Sequence, residues 1–339
     1  MDEMKGNSMA VFNSNDIYPV SADSELPFEQ HRDIFHLTGI DQEETILLLY
    51  PPSKDDKTRE ILFIRKSDNH TKVWEGEKLS KKQANELSGI DSIYYTDDFK
   101  DILSSIATKV DTFYINKNEH YRANSPVETR EDRFISWLLK KYPAHNVAKS
   151  NPILQRQRSI KHPDEIDQIK KACDITRKGF NRVLEFIKPN VWEYEIEAEF
   201  IHEFINSSSK GFAYSPIIAS GNDNNVLHYI KNNKQCKSGE LILMDVGAEY
   251  GNYSSDMTRT VPVSGKFTKR QKEIYNAVLR VKSEATKLLT VGNNWKIFHE
   301  QVGEIMTKEL LDVGLIDKND IKNHILITQF DLYDLVNCN

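Results

Sequence analysis

The sequence of 339 residues is long enough for two domains, each with its own hydrophobic core. Its net charge of -6, with no basic stripe, argues against a nucleic-acid-binding surface, and its three scattered cysteines exclude a disulfide framework. The acidic N-terminus and the lack of a run of about 20 apolar residues predict neither a signal peptide nor a membrane span, so a cytoplasmic protein is expected.

Residues 1–150 are predicted to form an α/β domain, because short apolar runs alternate with helical patterns. Few groups suited to chemistry occur in this half. Asp23, in a polar loop, and Trp74, beside a glycine, are most simply interpreted as surface residues. Strands are predicted at 9–12, 33–37, 45–50, 61–64 and 112–115, and helices at 81–87, 98–107 and 130–141.

A second domain is predicted at 151–339, because Ser150-Asn151-Pro152 is a break signal. A strand predicted at 214–219 is followed by a loop and a short apolar step that holds His228. A lone histidine among apolar neighbours is usually a core residue, so only the next strand gives His228 a functional interpretation. Amphipathic helices are predicted at 163–186, 193–205, 269–289 and 295–311.

The next predicted strand ends in a carboxylate, Asp245, that directly follows apolar residues. Residues 241–244 are apolar and run directly into Asp245, which is costly to bury unless a favourable partner meets it. The chain then turns and resumes as an alternating run to Pro262, which predicts an antiparallel hairpin. With its tip at Tyr250 and Gly251, Asp245 would lie directly opposite Asp256, at about 5 Å between Cβ atoms.

Two interpretations of this acid pair remain open. A divalent cation between Asp245 and Asp256 would convert their repulsion into attraction, which predicts a metal site. Alternatively, Asp245 only ends a strand and Asp256 lies on a solvated one. A register shift of one residue would then place the two side chains on opposite faces of the hairpin.

Several segments together resemble the Xaa-Pro aminopeptidase family, also called aminopeptidase P. The resemblance extends from Gly6 to Asp317, and its most specific part is DVG followed by SDMTRT. The segments are SNDIYPVSADSELPF, FHLTG, WEG, IKHPDEIDQIKKA, SGNDNNVLHY, MDVGAEYGNYSSDMTRTVPVSGKFT, QKEIYNAVL and VGNNWKIFH.

The resemblance implies a fold and a reaction. The fold is an α/β N-terminal domain of the creatinase/aminopeptidase P type, followed by an α+β pita-bread metallopeptidase domain. The reaction is hydrolysis of the bond before a proline at the second position of a peptide, with two divalent ions, typically manganese, that share a hydroxide. The family also implies a homo-oligomer in the full-length form.

The resemblance also implies roles for individual residues. Asp245 and Asp256 match metal ligands of the family, and His228 matches a histidine that holds the substrate and stabilises the developing oxyanion. Asp23 and Trp74 match segments that approach the substrate, sometimes from a neighbouring subunit.

The tail after Lys322 departs from the family pattern. The resemblance implies a further histidine ligand in an H-G-x-x-H segment and two glutamate ligands, whereas His324 stands in an apolar tail without glycine. We therefore expect a C-terminally truncated, incomplete pita-bread domain with weak or no activity and a tendency to aggregate. A non-catalytic pita-bread module that binds peptide or protein, and a prolidase, remain as alternatives.

Overall fold

The computed structural model describes residues 1–117 and 126–322 of the chain. The chain divides into two compact units, one comprising Met1–Lys161 and one beginning at His162. Within the two described ranges, no helix combines the length and the apolar character needed to cross a membrane.

The first unit is built on a six-stranded sheet and also has a separate two-stranded hairpin. Its strands are β1 (Ser8–Asn13), β2 (Pro19–Ser21), β3 (Ser24–Glu25), β4 (Ile46–Leu49), β5 (Glu60–Ile64), β6 (Ser92–Tyr95), β7 (Thr112–Ile115) and β8 (Asn146–Lys149). The sheet has the order β6-β5-β4-β1-β7-β8, and β2 and β3 form the hairpin. The helices are α1 (Arg32–Thr38), α2 (Asp56–Arg59), α3 (Asn69–Trp74), α4 (Lys81–Ser88), α5 (Phe99–Ala107), α6 (Arg130–Lys141) and α7 (Asn151–Ser159).

Both faces of this sheet are covered. In β1, Met9 and Val11 belong to one buried cluster, which includes residues of α5 and α6. Ala10 and Phe12 belong to another cluster, which includes residues of α1, α4 and α7. This alternation is the period of two that a strand imposes, and it confirms the layered α/β arrangement predicted for this half.

The predicted strand at 33–37 is wrong, because these residues lie in the helix α1. His31 caps the helix by accepting a hydrogen bond from the Asp33 amide, and Gly39 ends it in a left-handed conformation. The buried residues Ile34 and Thr38 are four positions apart, which is a helical and not a strand spacing. The predicted helices at 81–87, 98–107 and 130–141 are confirmed, with ends within one residue of those expected.

The first unit extends past the predicted boundary at residue 150 because α7 packs on it. Leu154, only 4% exposed, belongs to the buried cluster on one face of the sheet. Arg158 forms an ion pair with Asp33 of α1, with 2.7 Å between Nη1 and Oδ1. These contacts place residues 151–161 with the first unit.

The second unit combines helices with two short three-stranded sheets. Phe180 and Val183 of its first helix and Phe200 and Phe204 of its second pack in one buried cluster with the apolar face of the central strand. Its helices are α8 (Pro163–Phe186), α9 (Glu193–Asn206), α10 (Lys269–Leu288), α11 (Trp295–Asp312) and α12 (Lys318–Lys322). Its strands are β9 (Gly211–Phe212), β10 (Ile217–Ser220), β11 (Leu241–Val246), β12 (Ala248–Tyr250), β13 (Tyr253–Ser254) and β14 (Met257–Pro262). The two sheets have the orders β10-β11-β14 and β13-β12-β9.

Candidate metal centre

The predicted direct opposition of Asp245 and Asp256 is wrong. Asp245 of β11 pairs with Thr258 of β14, and Tyr250 pairs with Tyr253, so the tip of the hairpin is Gly251–Asn252. Both tip residues have positive φ angles, +57° and +66°. A two-residue turn of this kind favours Gly and Asn and disfavours a bulky residue, which is why Tyr250 does not occupy the tip.

The hairpin is interrupted where Asp256 lies. β13 ends at Ser254 and β14 begins at Met257, so Asp256 is outside both strands. Opposite the interruption, Gly247 separates β11 from β12, and a Cβ atom added there would lie 1.8 Å from the Ser255 carbonyl oxygen. Only glycine permits this close approach of the two backbones.

A buried hydroxyl pair holds the interruption in place. Thr176 of α8 and Ser255 lie with their hydroxyl oxygens 2.7 Å apart, and both oxygens accept a hydrogen bond from the Ala248 amide, at 2.8 and 3.0 Å. Both side chains are buried, so the amide that the strand pairing leaves unpaired is satisfied without water. This network fixes the backbone directly before Asp256.

Asp245 and Asp256 meet at a single phenol. The Tyr214 hydroxyl donates a hydrogen bond to Asp245 Oδ1 at 2.6 Å, and it also lies within hydrogen-bonding distance of Asp256 Oδ1, at 3.2 Å. Asp245 is half-buried and Asp256 is exposed. Burial, together with the hydrogen bond to Asp245 and the charges of both acids, raises the pKa of Tyr214 well above its usual value, so the phenol stays a proton donor.

This arrangement suits a divalent cation in its donor chemistry. Two carboxylates that converge on one point supply oxygen ligands, which hard cations prefer. In the part of the chain that the structure describes, no group of three or more His, Cys, Asp or Glu side chains is placed to hold a metal ion. The described residues therefore supply two metal-ligand candidates, Asp245 and Asp256. The tail with His324 lies outside the described residues.

His228 is exposed, so it is not the core histidine that its apolar neighbours would suggest. It follows β10 and a short 3₁₀ turn at 221–225, and the chain then returns along β10, where Asn232 bonds to the Pro216 and Ile218 backbone. Ile217 of β10 is the partner of Asp245 in the sheet. The segment with His228 thus comes back towards the part of the sheet that carries Asp245.

The two candidates of the first unit are exposed. Asp23 lies in the turn of the β2–β3 hairpin, and the Trp74 side chain, at the end of α3, is 75% exposed. The next residue, Glu75, is held in place by Arg65, which donates two hydrogen bonds to the Glu75 carboxylate, at 2.6 and 2.7 Å. Their predicted roles in substrate binding stay predictions.

Tyr214 and the hydroxyl pair of Thr176 and Ser255 were not among the residues predicted from the sequence. One signal was present: Tyr214 stands at the start of a predicted strand that precedes the strand of Asp245, and antiparallel neighbours bring such positions together. The contact of Thr176, on a helix about 70 residues before the hairpin, has no local signal, because it depends on how α8 packs.

Two family models match the chain. The model described as metallopeptidase family M24 matches residues 167–326, and the model described as aminopeptidase P, N-terminal domain, matches residues 1–114. These two matched regions fall into the two structural units.

Curated relatives match nearly the whole chain. The chain is 30% identical over 322 residues to the Xaa-Pro aminopeptidase of Haemophilus influenzae, a match that covers 94% of this chain and 71% of the relative. It is 30% identical over 327 residues to the Xaa-Pro aminopeptidase of Escherichia coli, covering 95% and 73%. It is 29% identical over 314 residues to human Xaa-Pro aminopeptidase 3, covering 92% and 61%.

Solved structures give the same result. Pseudomonas aeruginosa aminopeptidase PepP is similar with a TM-score of 0.85 at 27% identity, covering 95% of this chain and 73% of that one. A zinc-substituted E. coli aminopeptidase P in complex with product is similar with a TM-score of 0.84 at 29% identity, covering 95% and 74%. The two-domain fold expected from the resemblance, an aminopeptidase P N-terminal domain followed by a pita-bread domain, is confirmed.

Proposed function

The chain belongs to the Xaa-Pro aminopeptidase family of metallopeptidases, and from this premise we propose that it releases the first residue of peptides with proline at the second position. The observation that carries the proposal is the convergence of Asp245 and Asp256 on the Tyr214 hydroxyl. Two carboxylates that converge in this way repel each other, which is unfavourable unless a cation between them uses both charges.

Asp245 and Asp256 would hold the divalent metal. When bound, a divalent ion supplies Lewis-acid polarisation of the scissile carbonyl and lowers the pKa of a bound water. The two carboxylates are fixed from different sides, Asp245 by the ladder of β11 and Asp256 by the backbone network of Ser255. The Tyr214 hydroxyl donates to one oxygen of Asp245 and lies 3.2 Å from one oxygen of Asp256, and so it orients the two carboxylates.

His228 would act on the substrate. Its exposed imidazole belongs to a segment that returns along β10, and β10 is the strand that pairs with Asp245. From there it donates a hydrogen bond to the carbonyl oxygen before proline, where negative charge develops as the bond is attacked. A proline nitrogen carries no hydrogen, so the substrate carbonyl is the main group that such a donor can recognise.

The finer features of the proposal follow from the family. The metal is manganese, used as two ions, Asp23 and Trp74 contact the peptide, and the enzyme is a cytoplasmic homo-oligomer. The oxygen ligands support a hard cation. The net charge of -6 supports a peptide and not a nucleic acid as the partner. The peptidase names of the relatives do not favour the alternative of a non-catalytic binding module.

The experiment is peptide cleavage by the full chain in the presence of Mn²⁺. An Xaa-Pro tripeptide is compared with the same peptide carrying alanine second, and release of the first residue is followed by chromatography. We expect cleavage of the proline peptide only. Asp245→Asn and Asp256→Asn are each expected to lower kcat by about 100-fold or more, because they remove a charge from the metal site.

The matched control is Asp317→Asn, which changes an exposed acid in a turn before α12. It is expected to leave both cleavage and bound manganese unchanged. Equal cleavage of both peptides, or full activity of both site variants, would contradict the proposal.

A further inference from the structure

Glu193 is a buried carboxylate whose partners belong to the segment that carries His228. It is the first residue of α9, and its side chain is 0% exposed. Within the described part of the chain, Oε1 accepts from the Ser220 amide at 2.8 Å and from the Ser220 hydroxyl at 2.7 Å. Oε2 accepts from the Tyr229 hydroxyl at 2.7 Å and from the Lys234 amide at 2.9 Å.

These four bonds fasten the segment at both of its ends. Ser220 is the last residue of β10, where the segment leaves the sheet, and Lys234 lies where the chain returns to α9. The return is secured a second time, since the Glu193 amide donates to the Lys234 carbonyl at 2.9 Å. Between these ends, Tyr229 is buried while its neighbour His228 is exposed. One carboxylate therefore fixes the residue adjacent to the candidate catalytic histidine.

Burying the Glu193 carboxylate costs free energy, which indicates that the geometry it fixes has a function. Removing a carboxylate from water costs several kcal/mol, and well-packed apolar residues often give equal or greater stability at such a position. Four donors match the four acceptor sites of a carboxylate, and the N-terminus of α9 adds favourable electrostatics. A glutamine amide cannot replace this carboxylate, because the NH₂ group of the amide would face hydrogen-bond donors. The position thus requires an anion, and that anion acts on the segment 220–234.

We propose that Glu193 is a positioning residue for peptide cleavage, which acts by holding Tyr229 and thereby the backbone that presents His228 to the substrate. The inference rests on the proposed function, in which His228 contacts the scissile carbonyl. Glu193 itself contacts no substrate, since its carboxylate is enclosed by the four donors.

The anchoring is tested by hydrogen–deuterium exchange of the full chain, read by mass spectrometry. Tyr229→Phe removes one donor and leaves the packing of the ring, and Glu193→Gln removes the anion. In both variants we expect exchange of the peptide covering 221–233 to rise about tenfold, while exchange of α8 stays unchanged. The control is Glu199→Gln, on the same helix, whose carboxylate pairs with Arg182 outside the segment. Unchanged exchange at 221–233, or an equal rise throughout the second unit, would overturn the proposal.

The link to catalysis is tested by a double-mutant cycle on kcat. Tyr229→Phe is expected to lower kcat about tenfold with bound manganese unchanged, and to have no effect in a chain that already carries His228→Ala. An equal loss in both backgrounds would mean that Tyr229 acts independently of His228, and it would overturn the positioning role. Full activity of His228→Ala would instead contradict the role of His228 in the proposed function, which the exchange result does not depend on.

Discussion

At the scale of single residues, the site is defined by groups that share partners. Tyr214 links Asp245, on β11, with Asp256, in the interruption between β13 and β14, so the side chains of both acids depend on the same hydroxyl. The strand pairing of β11 sets where Asp245 lies, the backbone network at Ser255 sets where Asp256 lies, and the phenol determines which carboxylate oxygens remain available. A bridging residue such as Tyr214 is identified from the three-dimensional structure, because its residue type and its spacing from the acids do not distinguish it from other tyrosines in the sequence.

Tyr214→Phe is expected to weaken manganese binding by about tenfold, because outer partners that orient ligand carboxylates typically affect metal affinity by 10–100-fold. Isothermal titration calorimetry with Mn²⁺ measures the change. Tyr275→Phe, which removes a hydroxyl from α10, serves as the control and should bind manganese as the unaltered chain does. Equal affinities for the two variants would show that the phenol does not orient the acids.

Glu131 is expected to make the first unit less stable as the pH rises. Burial raises the pKa of its carboxyl from 4.5 to about 7, and one of its oxygens is buried without a partner in the described part of the chain. Between these two pH values the folded chain retains a proton that the unfolded chain has lost. The free energy of unfolding therefore falls by about 3 kcal/mol in total through that window and levels off above it.

Glu131→Gln should abolish this fall, because the amide is neutral at every pH in the window. Urea unfolding at pH 5 and pH 8 measures the difference, with the exposed Glu86→Gln as the control. Parallel curves for Glu131→Gln and the unaltered chain would contradict the assignment.

At the scale of elements, the hairpin of β11 to β14 shows how a local turn sets the site. The Gly251–Asn252 turn moves the strand partner of Asp245 by two residues, from the predicted Asp256 to Thr258. Because an even shift keeps side chains on the same face, Asp245 and Asp256 still meet at the Tyr214 hydroxyl, with the hairpin interrupted before Asp256. Gly247 and Ser255 form that interruption. The residues Gly251 and Asn252 indicate the turn in the sequence. No sequence pattern predicts the interruption, since it depends on the buried hydroxyl of Thr176.

Gly247→Ala is expected to destabilise the second unit by about 3 kcal/mol, because the added Cβ would overlap the Ser255 backbone. Gly303→Ala is the matched control. Gly303 lies within α11 with nothing within 4 Å of an added Cβ, so alanine should stabilise the helix by up to about 1 kcal/mol. Thermal and urea unfolding of both variants distinguish the two effects, and similar stabilities would refute the close approach.

At the scale of the whole molecule, the chain consists of two units that each bury their own core. The sequence signal at Ser150-Asn151-Pro152 marked the start of a helix and not the end of a unit. Proline is common in the first turn of a helix, so the same residues are compatible with both interpretations. Packing of α7 on the sheet decided between them.

A fragment of residues 1–161 is expected to be more stable than one of residues 1–150 by about 2 kcal/mol or more, the amount gained by burying a side chain such as Leu154. The urea midpoints of the two fragments measure the difference. A fragment 1–161 that carries Leu154→Ala should fall between them. Equal midpoints for the two lengths would show that α7 does not belong to the first unit.

The sequence by itself determined the long amphipathic helices, the layered first unit, the family and the choice of the two acids as candidates, because hydrophobic periodicity and short motifs are local properties of the chain. Tertiary structure decided what joins those acids, where the first unit ends and which carboxylate holds the segment of His228. Each of these depends on contacts between residues far apart in sequence, such as Tyr214 with Asp256 or Glu193 with Tyr229. Such contacts form only when helices and strands pack, and no local pattern encodes them.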